Sequence, residues 1–223
     1  MRRKIVTVLT NPALLRKKSS RFPDLDNFSD SDKSALQDLS DTFDVLQGYG
    51  LALPQIGICK RAIAINFAAL GQSDLGSMTI MINPELTCSG EMVRQEESCF
   101  SVPHISCKVS RSSSVTVKYT SLLGVSKQLD LTGIAAACLQ HEVDHLDGKV
   151  YIDKIGSAWR SILLKKIKKI EKRMQANEIA LKKDFEAEHR ELMGLSDTKK
   201  KTTYSKKRKR KVRKKRVKKS KKK

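Results

Sequence analysis

The stretch His141-Glu142-Val143-Asp144-His145 constrains this chain more than any other. The chain has only four histidines, and two of them lie here, four residues apart. On a helix of 3.6 residues per turn, that spacing puts both imidazoles on one face, one turn apart. Two imidazoles so placed can hold one metal ion, and Glu142 beside the first can take a proton from a water at that ion. The pattern reads as a metal-hydrolase site; the plain alternative is a partly buried helix with two unrelated histidines. A catalytic site of this kind needs a third protein ligand and one open position. Among the five cysteines, Cys99 lies in a polar, acid-flanked segment, whereas Cys59 and Cys138 lie in apolar surroundings that suit packing. A lone cysteine is usually a packing residue, so the third ligand stays open at this point.

Charge divides the chain. Residues 199–223 hold 18 of its 45 lysines and arginines and no acid, so this tail carries +18 of the net +21 and the remainder about +3. The body is near neutral, with a polycation attached. The tail cannot build a core, is expected to be disordered in isolation, and would bind polyanions with steep salt dependence. No run of eighteen apolar residues occurs, so no membrane span is expected. The first ten residues are too short and too interrupted for a secretory signal and read as a first strand or extended arm. An odd number of cysteines without such a signal points to a reducing compartment. A cytoplasmic location is expected, bacterial rather than organellar.

Local patterns outline the body. Residues 1–28 read as irregular, punctuated by Pro12 and Pro23. Ala35, Leu36, Leu39, Phe43 and Leu46 form one helical face behind N-cap candidates at 29–31, with Gly48 expected to end the helix. Glycines at 48 and 50 allow close backbone approach to a strand or a ligand; the plain alternative is a tight turn leading into a strand. Residues 61–67 and 79–86 read as strands, the second ending at Pro84, followed by a polar stretch. Residues 114–120 and 127–131 read as a strand and its return. Thr132 can cap a helix running to about Leu146, stopped by Gly148. A second long helix is expected from about Gly156, with Trp159, Ile162, Leu163, Ile167, Ile170 and Met174 as its apolar stripe and five lysines between 165 and 172 on the other face. It is expected to continue to about Gly194.

Three stretches, taken together, resemble the signature motifs of the peptide deformylases, in that family's order. They are Gly48-Tyr49-Gly50-Leu51-Ala52-Leu53-Pro54-Gln55, Glu97-Ser98-Cys99-Phe100-Ser101 and Gln140-His141-Glu142-Val143-Asp144-His145-Leu146. The resemblance spans about residues 3–175. It implies an α+β fold, with antiparallel sheets around a central metal-binding helix, then a C-terminal helix and the basic tail. The implied division is a catalytic domain at 1–175, a helical extension at 176–198 and the tail at 199–223. The implied reaction is hydrolysis of the N-formyl group from the starting methionine of nascent proteins, releasing formate.

The same resemblance implies roles. Cys99, His141 and His145 look like the metal ligands and Glu142 like the general acid and base. Gln55 and the backbone N–H of Phe100 look like oxyanion donors. Gly50 matches the position that pairs with substrate backbone, Tyr49 a pocket-lining neighbour, and Asp144 a residue that supports the site. Thiolate with two imidazoles suits Fe2+, Zn2+, Ni2+ or Co2+; similarity to the family implies Fe2+. Leu53 stands where the family usually has Ala, and Ser98 where it usually has Gly. Both are expected to add bulk near the site, and a serine forced to positive φ would cost about 1–2 kcal/mol. His104 is expected near the cleft and His189 in solvent. In bacterial relatives the C-terminal helix docks on the ribosome, so ribosomal RNA is the expected partner of the tail, and a monomer the expected state. The rival readings are a zinc peptidase with a distant third ligand, and a catalytically impaired deformylase-like scaffold for an RNA-binding tail.

Overall fold

The computed structural model describes residues 1–192. The basic tail and the expected helix end near Gly194 lie outside the described residues, as does the side chain of His189. The chain divides into two units, one spanning Met1–Ile170 and a second beginning at Glu171.

The first unit is built on helix α1, Asp30–Leu46, and five antiparallel strands. Ser29 caps α1: its Oγ accepts the Asp32 N–H at 3.2 Å, and the Asp32 carboxylate accepts the Ser29 N–H at 3.1 Å, so two otherwise orphaned donors are satisfied. The helix ends at Gln47, in the left-handed conformation, one residue before the expected Gly48. Gly48 serves a different need, described below.

The strands are β1 (Gly50–Ala52), β2 (Ala62–Ile65), β3 (Thr79–Cys99), β4 (Val102–Thr120) and β5 (Ser126–Thr132), joined in sequence order in one sheet. β1 and β2 are buried on both faces, and alternation sorts their side chains. Ile63 and Ile65 join Met81, Val117 and Leu139 in one core cluster, while Ala62 and Ala64 join Leu36, Leu39, Phe43 and Leu53 in another, against α1. Helix α2, Gly133–Leu146, packs Ala135, Ala136, Leu139, Val143 and Leu146 into the first cluster. It follows β5 with no loop between them. Thr132 stands at its N-cap position, but its hydroxyl makes no capping hydrogen bond. Gly148, at φ +73°, lies where a Cβ would strike the carbonyl of Arg16.

One expectation is corrected, and one pair of alternatives is decided. β3 does not end at Pro84: it continues to Cys99 and pairs with β4 from Ile82 onward, with register shifts between Ile82 and Glu85, between Ser89 and Met92 and between Ser98 and Cys99. Pro84 falls in the first irregularity, where no ladder N–H is required, and the polar residues that follow lie mostly on the exposed part of the strand. Residues 1–10 form no strand. They run as an extended arm ending in a turn at Thr7–Thr10.

Helix α3, Ser157–Leu192, begins at about the expected residue. Within the first unit its Ile167, Leu163 and Leu164 pack with Val102, Ile105, Tyr151 and Ile152, whereas Trp159 and Ile162 are exposed. From Glu171 the second unit continues the helix to the last described residue, Leu192. No described helix is long and apolar enough to cross a membrane.

Candidate metal centre

One turn of α2 carries His141 and His145, whose rings meet edge to face with centroids 5.0 Å apart. Cys99, the last residue of β3, faces them, its Sγ 3.2 Å from His145 Nε2. One ligand atom from each of Cys99, His141 and His145 lies within 4.8 Å of the others. Among the described residues this is the group of three or more histidine, cysteine and carboxylate side chains that can hold a metal ion.

A chain of buried charges orients the group. His141 Nδ1 is 2.7 Å from Glu97 Oε2, which leaves Nε2 for a ligand. Arg111, 2% exposed, holds Glu97 in a fork, Nε at 2.6 Å and Nη2 at 2.9 Å. Its third nitrogen pairs with Asp144, which also pairs with Lys154 at 3.1 Å. Burial would raise the Glu97 carboxyl, but hydrogen bonds from Arg111 and His141 outweigh it and hold the group down at about 2. Burial likewise disfavours a charged His141, yet the Cys99 and Glu97 charges prevail and draw positive charge to the ring. The same charges favour a metal cation there. For His145, burial and then the His141 charge lower the pKa, so this ring stays neutral, as a ligand must. Tyr151 stacks on His141 at 5.9 Å and donates its hydroxyl to the Ile105 carbonyl at 2.8 Å.

Glu142 is 4% exposed, and its Oε2 is buried without a hydrogen-bond partner among the described residues. Burial is the main reason its carboxyl is raised to about 7, the range that suits a group giving and taking protons near neutrality. Gly50 explains how the carboxylate fits: a Cβ there would stand 2.5 Å from Glu142 Oε1. Gly48 makes similar room for Phe100, whose Cε2 would be 2.7 Å from a Cβ at 48.

Gln55 sits in the short turn Leu53–Ile56 after β1. Its Oε1 accepts the Ala52 N–H at 2.8 Å, which fixes the amide's orientation and turns Nε2 towards Cys99 Sγ and Ser101 Oγ, each 3.4 Å away. A cavity of about 990 Å³ opens over these groups. Tyr49, Gly50, Gln55, Cys99, Phe100, His141 and Glu142 line it, together with His104, Ile134 and Cys138; Tyr49 is largely exposed at its mouth. His145 is buried, with a ligand atom close to those of Cys99 and His141. Eight of the nine residues given roles from the sequence therefore meet at this cavity or at the ligand group, and the ninth, Asp144, is joined to them through Arg111 and Glu97.

A model of the polypeptide deformylase family matches residues 3–161. The chain belongs to that family. A peptide deformylase of Thermodesulfovibrio yellowstonii is 40% identical over 121 residues, 54% of this chain and 72% of the relative. The crystal structure of a peptide deformylase from Legionella pneumophila superposes with a TM-score of 0.67 at 33% identity, over 79% of this chain and 98% of that one. A peptide deformylase from Ehrlichia chaffeensis, in complex with actinonin, gives 0.66 at 31% identity, over 76% and 98%.

Of the two departures from the deformylase pattern, Leu53 does not add the expected bulk at the site, and Ser98 does. Leu53 points away from the cavity, into the cluster of Leu36, Leu39 and Phe43. Ser98 lines the cavity but stays in the extended strand, outside the positive-φ region, so its Cβ carries no backbone strain. Arg111 was not legible as a site residue: it is one cation in a serine-rich strand, and its partners lie 14 and 33 residues away. Gln140, which opens the third motif without an assigned role, clasps the Ser112 backbone through Oε1 at 3.0 Å and Nε2 at 2.8 Å.

Proposed function

We propose that the chain performs the reaction of its family, the metal-dependent hydrolysis of the N-formyl group from the N-terminal methionine of nascent peptides. The observation that carries this is the convergence, in one cavity, of three ligand atoms within 4.8 Å and a buried Glu142 against Gly50. The donor set fits one divalent ion: one thiolate, a neutral His145, and a His141 whose Nδ1 is committed to Glu97. Cys99, His141 and His145 would hold the ion, which supplies a Lewis acid that brings the pKa of water towards neutrality. Iron(II) is our reading of its identity, with zinc, nickel and cobalt sharing the ligand chemistry.

The remaining steps belong to the chain's own side chains. Glu142 takes the proton from the attacking water on its carboxylate. Gln55 Nε2 and the Phe100 N–H donate to the formyl oxygen as it gains negative charge; one such donor is typically worth about 10²–10³ in rate. Glu142 then delivers its proton to the amine nitrogen, which leaves poorly as an anion. The backbone at Gly50 pairs with the peptide, and Tyr49 lines its approach.

The test is formate release from formyl-Met-Ala-Ser by anaerobically purified protein, beside Glu142→Ala. Turnover that vanishes in the variant is the expected result. Protein that binds metal stoichiometrically and releases no formate would overturn the reading in favour of the scaffold. Elemental analysis of the same preparation identifies the ion.

The +18 tail supports a second element of the reading, attachment to ribosomal RNA by a monomeric enzyme acting on emerging chains. Deleting residues 198–223 is expected to abolish co-sedimentation with ribosomes at low salt. Unchanged co-sedimentation would remove this element.

A further inference from the structure

The two oxyanion donors reach the site from distant parts of the chain. Gln55 follows β1, and Phe100 lies in the β3–β4 turn. The sheet ladder does not space them: β3 meets β2 only through Thr79–Ile82, at the end of the strand far from Cys99. The Gln55 side chain reaches Cys99 and Ser101 at 3.4 Å, and the N-terminal arm ties the two backbones together. The Val6 N–H donates to the carbonyl of Gln55 at 2.7 Å, and two residues later the Val8 N–H donates to the carbonyl of Ser101 at 2.9 Å.

Thr7, between these donors, is held in a knot. Its N–H donates to Thr10 Oγ1 at 2.9 Å, while its Oγ1 accepts the N–H groups of Leu9 and Thr10, each at 3.2 Å. The carbonyl of Thr7 accepts the N–H of Thr10 at 3.2 Å and of Asn11 at 3.1 Å. Side chains straddle the same gap. Ile5 packs with the cluster of Leu53 and Ile56, and Val8 and Leu9 with that of Val102 and Ile105.

We propose that residues 5–10 form a clamp that sets the separation of the two oxyanion donors, with Val6 and Val8 as positioning residues that act through backbone amides. This rests on the reading of Gln55 and Phe100 given above. A donor must lie within a narrow distance of the oxygen whose charge it stabilises, and a displacement of about 1 Å can cost roughly 10²-fold in rate. The clamp thus bears on the transition state rather than on peptide binding or metal retention. It leaves no side-chain motif, since any residue but proline supplies the N–H.

The test is Val6→Pro, which removes the bond to Gln55, made in the wild-type chain and in Gln55→Ala. Both are assayed for kcat, KM and metal content with formyl-Met-Ala-Ser. In the wild-type background kcat is expected to fall roughly 10- to 100-fold, with KM and metal content within about twofold. In the Gln55→Ala background no further fall is expected, because the side chain being positioned is gone. An equal fall in both backgrounds, or none in the wild type, would overturn the clamp. If Gln55→Ala itself spares kcat, where a loss of about 10²–10³ is expected, the oxyanion reading fails first. Thr10→Val loosens the knot while keeping both amides and serves if Val6→Pro does not fold. Its expected loss in kcat is about threefold or more, abolished in the Gln55→Ala background, and an undiminished kcat would count against the clamp.

Discussion

Gly50→Ala tests the proton-transfer role of Glu142 with a single methyl group. The new Cβ would lie 2.5, 2.7 and 2.8 Å from Oε1, Cγ and Cδ of Glu142. Ordinary van der Waals contact begins at 3.4 Å, so the carboxylate must retreat by about 0.9 Å. Glu142 is 4% exposed, and the retreat has to be made among packed neighbours. Overpacking of this kind typically costs about 1–3 kcal/mol in stability. A misplacement near 1 Å at a reacting group costs roughly 10²-fold in rate. Gly50 lies in β1, outside the left-handed region, so the substitution tests the collision and not the backbone. Steady-state formate release should show kcat reduced about 100-fold, with metal content unchanged because Cys99, His141 and His145 are untouched. A variant that keeps more than about a tenth of the wild-type kcat would mean that Glu142 does not transfer the proton from the position described here.

Other expectations follow from single contacts. Arg111→Met leaves Glu97 buried without its cation; stability should fall by about 3–5 kcal/mol in urea unfolding, and metal affinity by roughly 10–100-fold in chelator competition. Leu53→Ala restores the residue usual in the family yet should destabilise by about 2–5 kcal/mol, with kcat/KM unchanged, since Leu53 faces the α1 core; a raised kcat/KM would show that its bulk reaches the site. Asp153 pairs with Arg16 and Arg160 and accepts the Val150 N–H. Burial opposes its ionisation, but these partners prevail and its pKa is depressed. A depressed carboxylate contributes stability above its unfolded pKa, about 3.9, and loses it as pH falls through the lower folded value. Asp153→Asn should therefore be less stable than wild type at pH 7, with a gap that closes below about pH 4; a gap independent of pH would mean that the ionised group contributes nothing.

The site was legible where its chemistry is local. Two ligands and the base fall within five residues of one helix, and residue spacing alone places them on adjacent positions. Cys99 and Gln55 became legible only as parts of motifs, because nothing local says that the end of β3 and the turn after β1 meet. Arg111 and the arm amides carry no local signal, since a buried cation and a backbone N–H are defined by tertiary partners. The β3–β4 hairpin was underread because Pro84 and the polar run after it weaken a strand signal that rests on half-burial. Irregular pairing at 82–85 and 89–92 absorbs both. Glycines 48 and 50 are legible as sites of close approach, but not their partners: their missing side chains make space for Phe100 and Glu142.

The direct junction of β5 and α2 has a consequence for how such a sequence can drift. Thr132 ends the strand and Gly133 begins the helix, so no slack separates the sheet from the helix that bears both histidines. One residue inserted at that junction would turn the helix by about 100° and swing His141, Glu142 and His145 together off the cavity. Lineages descending from this chain can thus exchange many residues along 126–146, but the number of residues between the sheet and the first histidine is an inherited length that a functional descendant must keep.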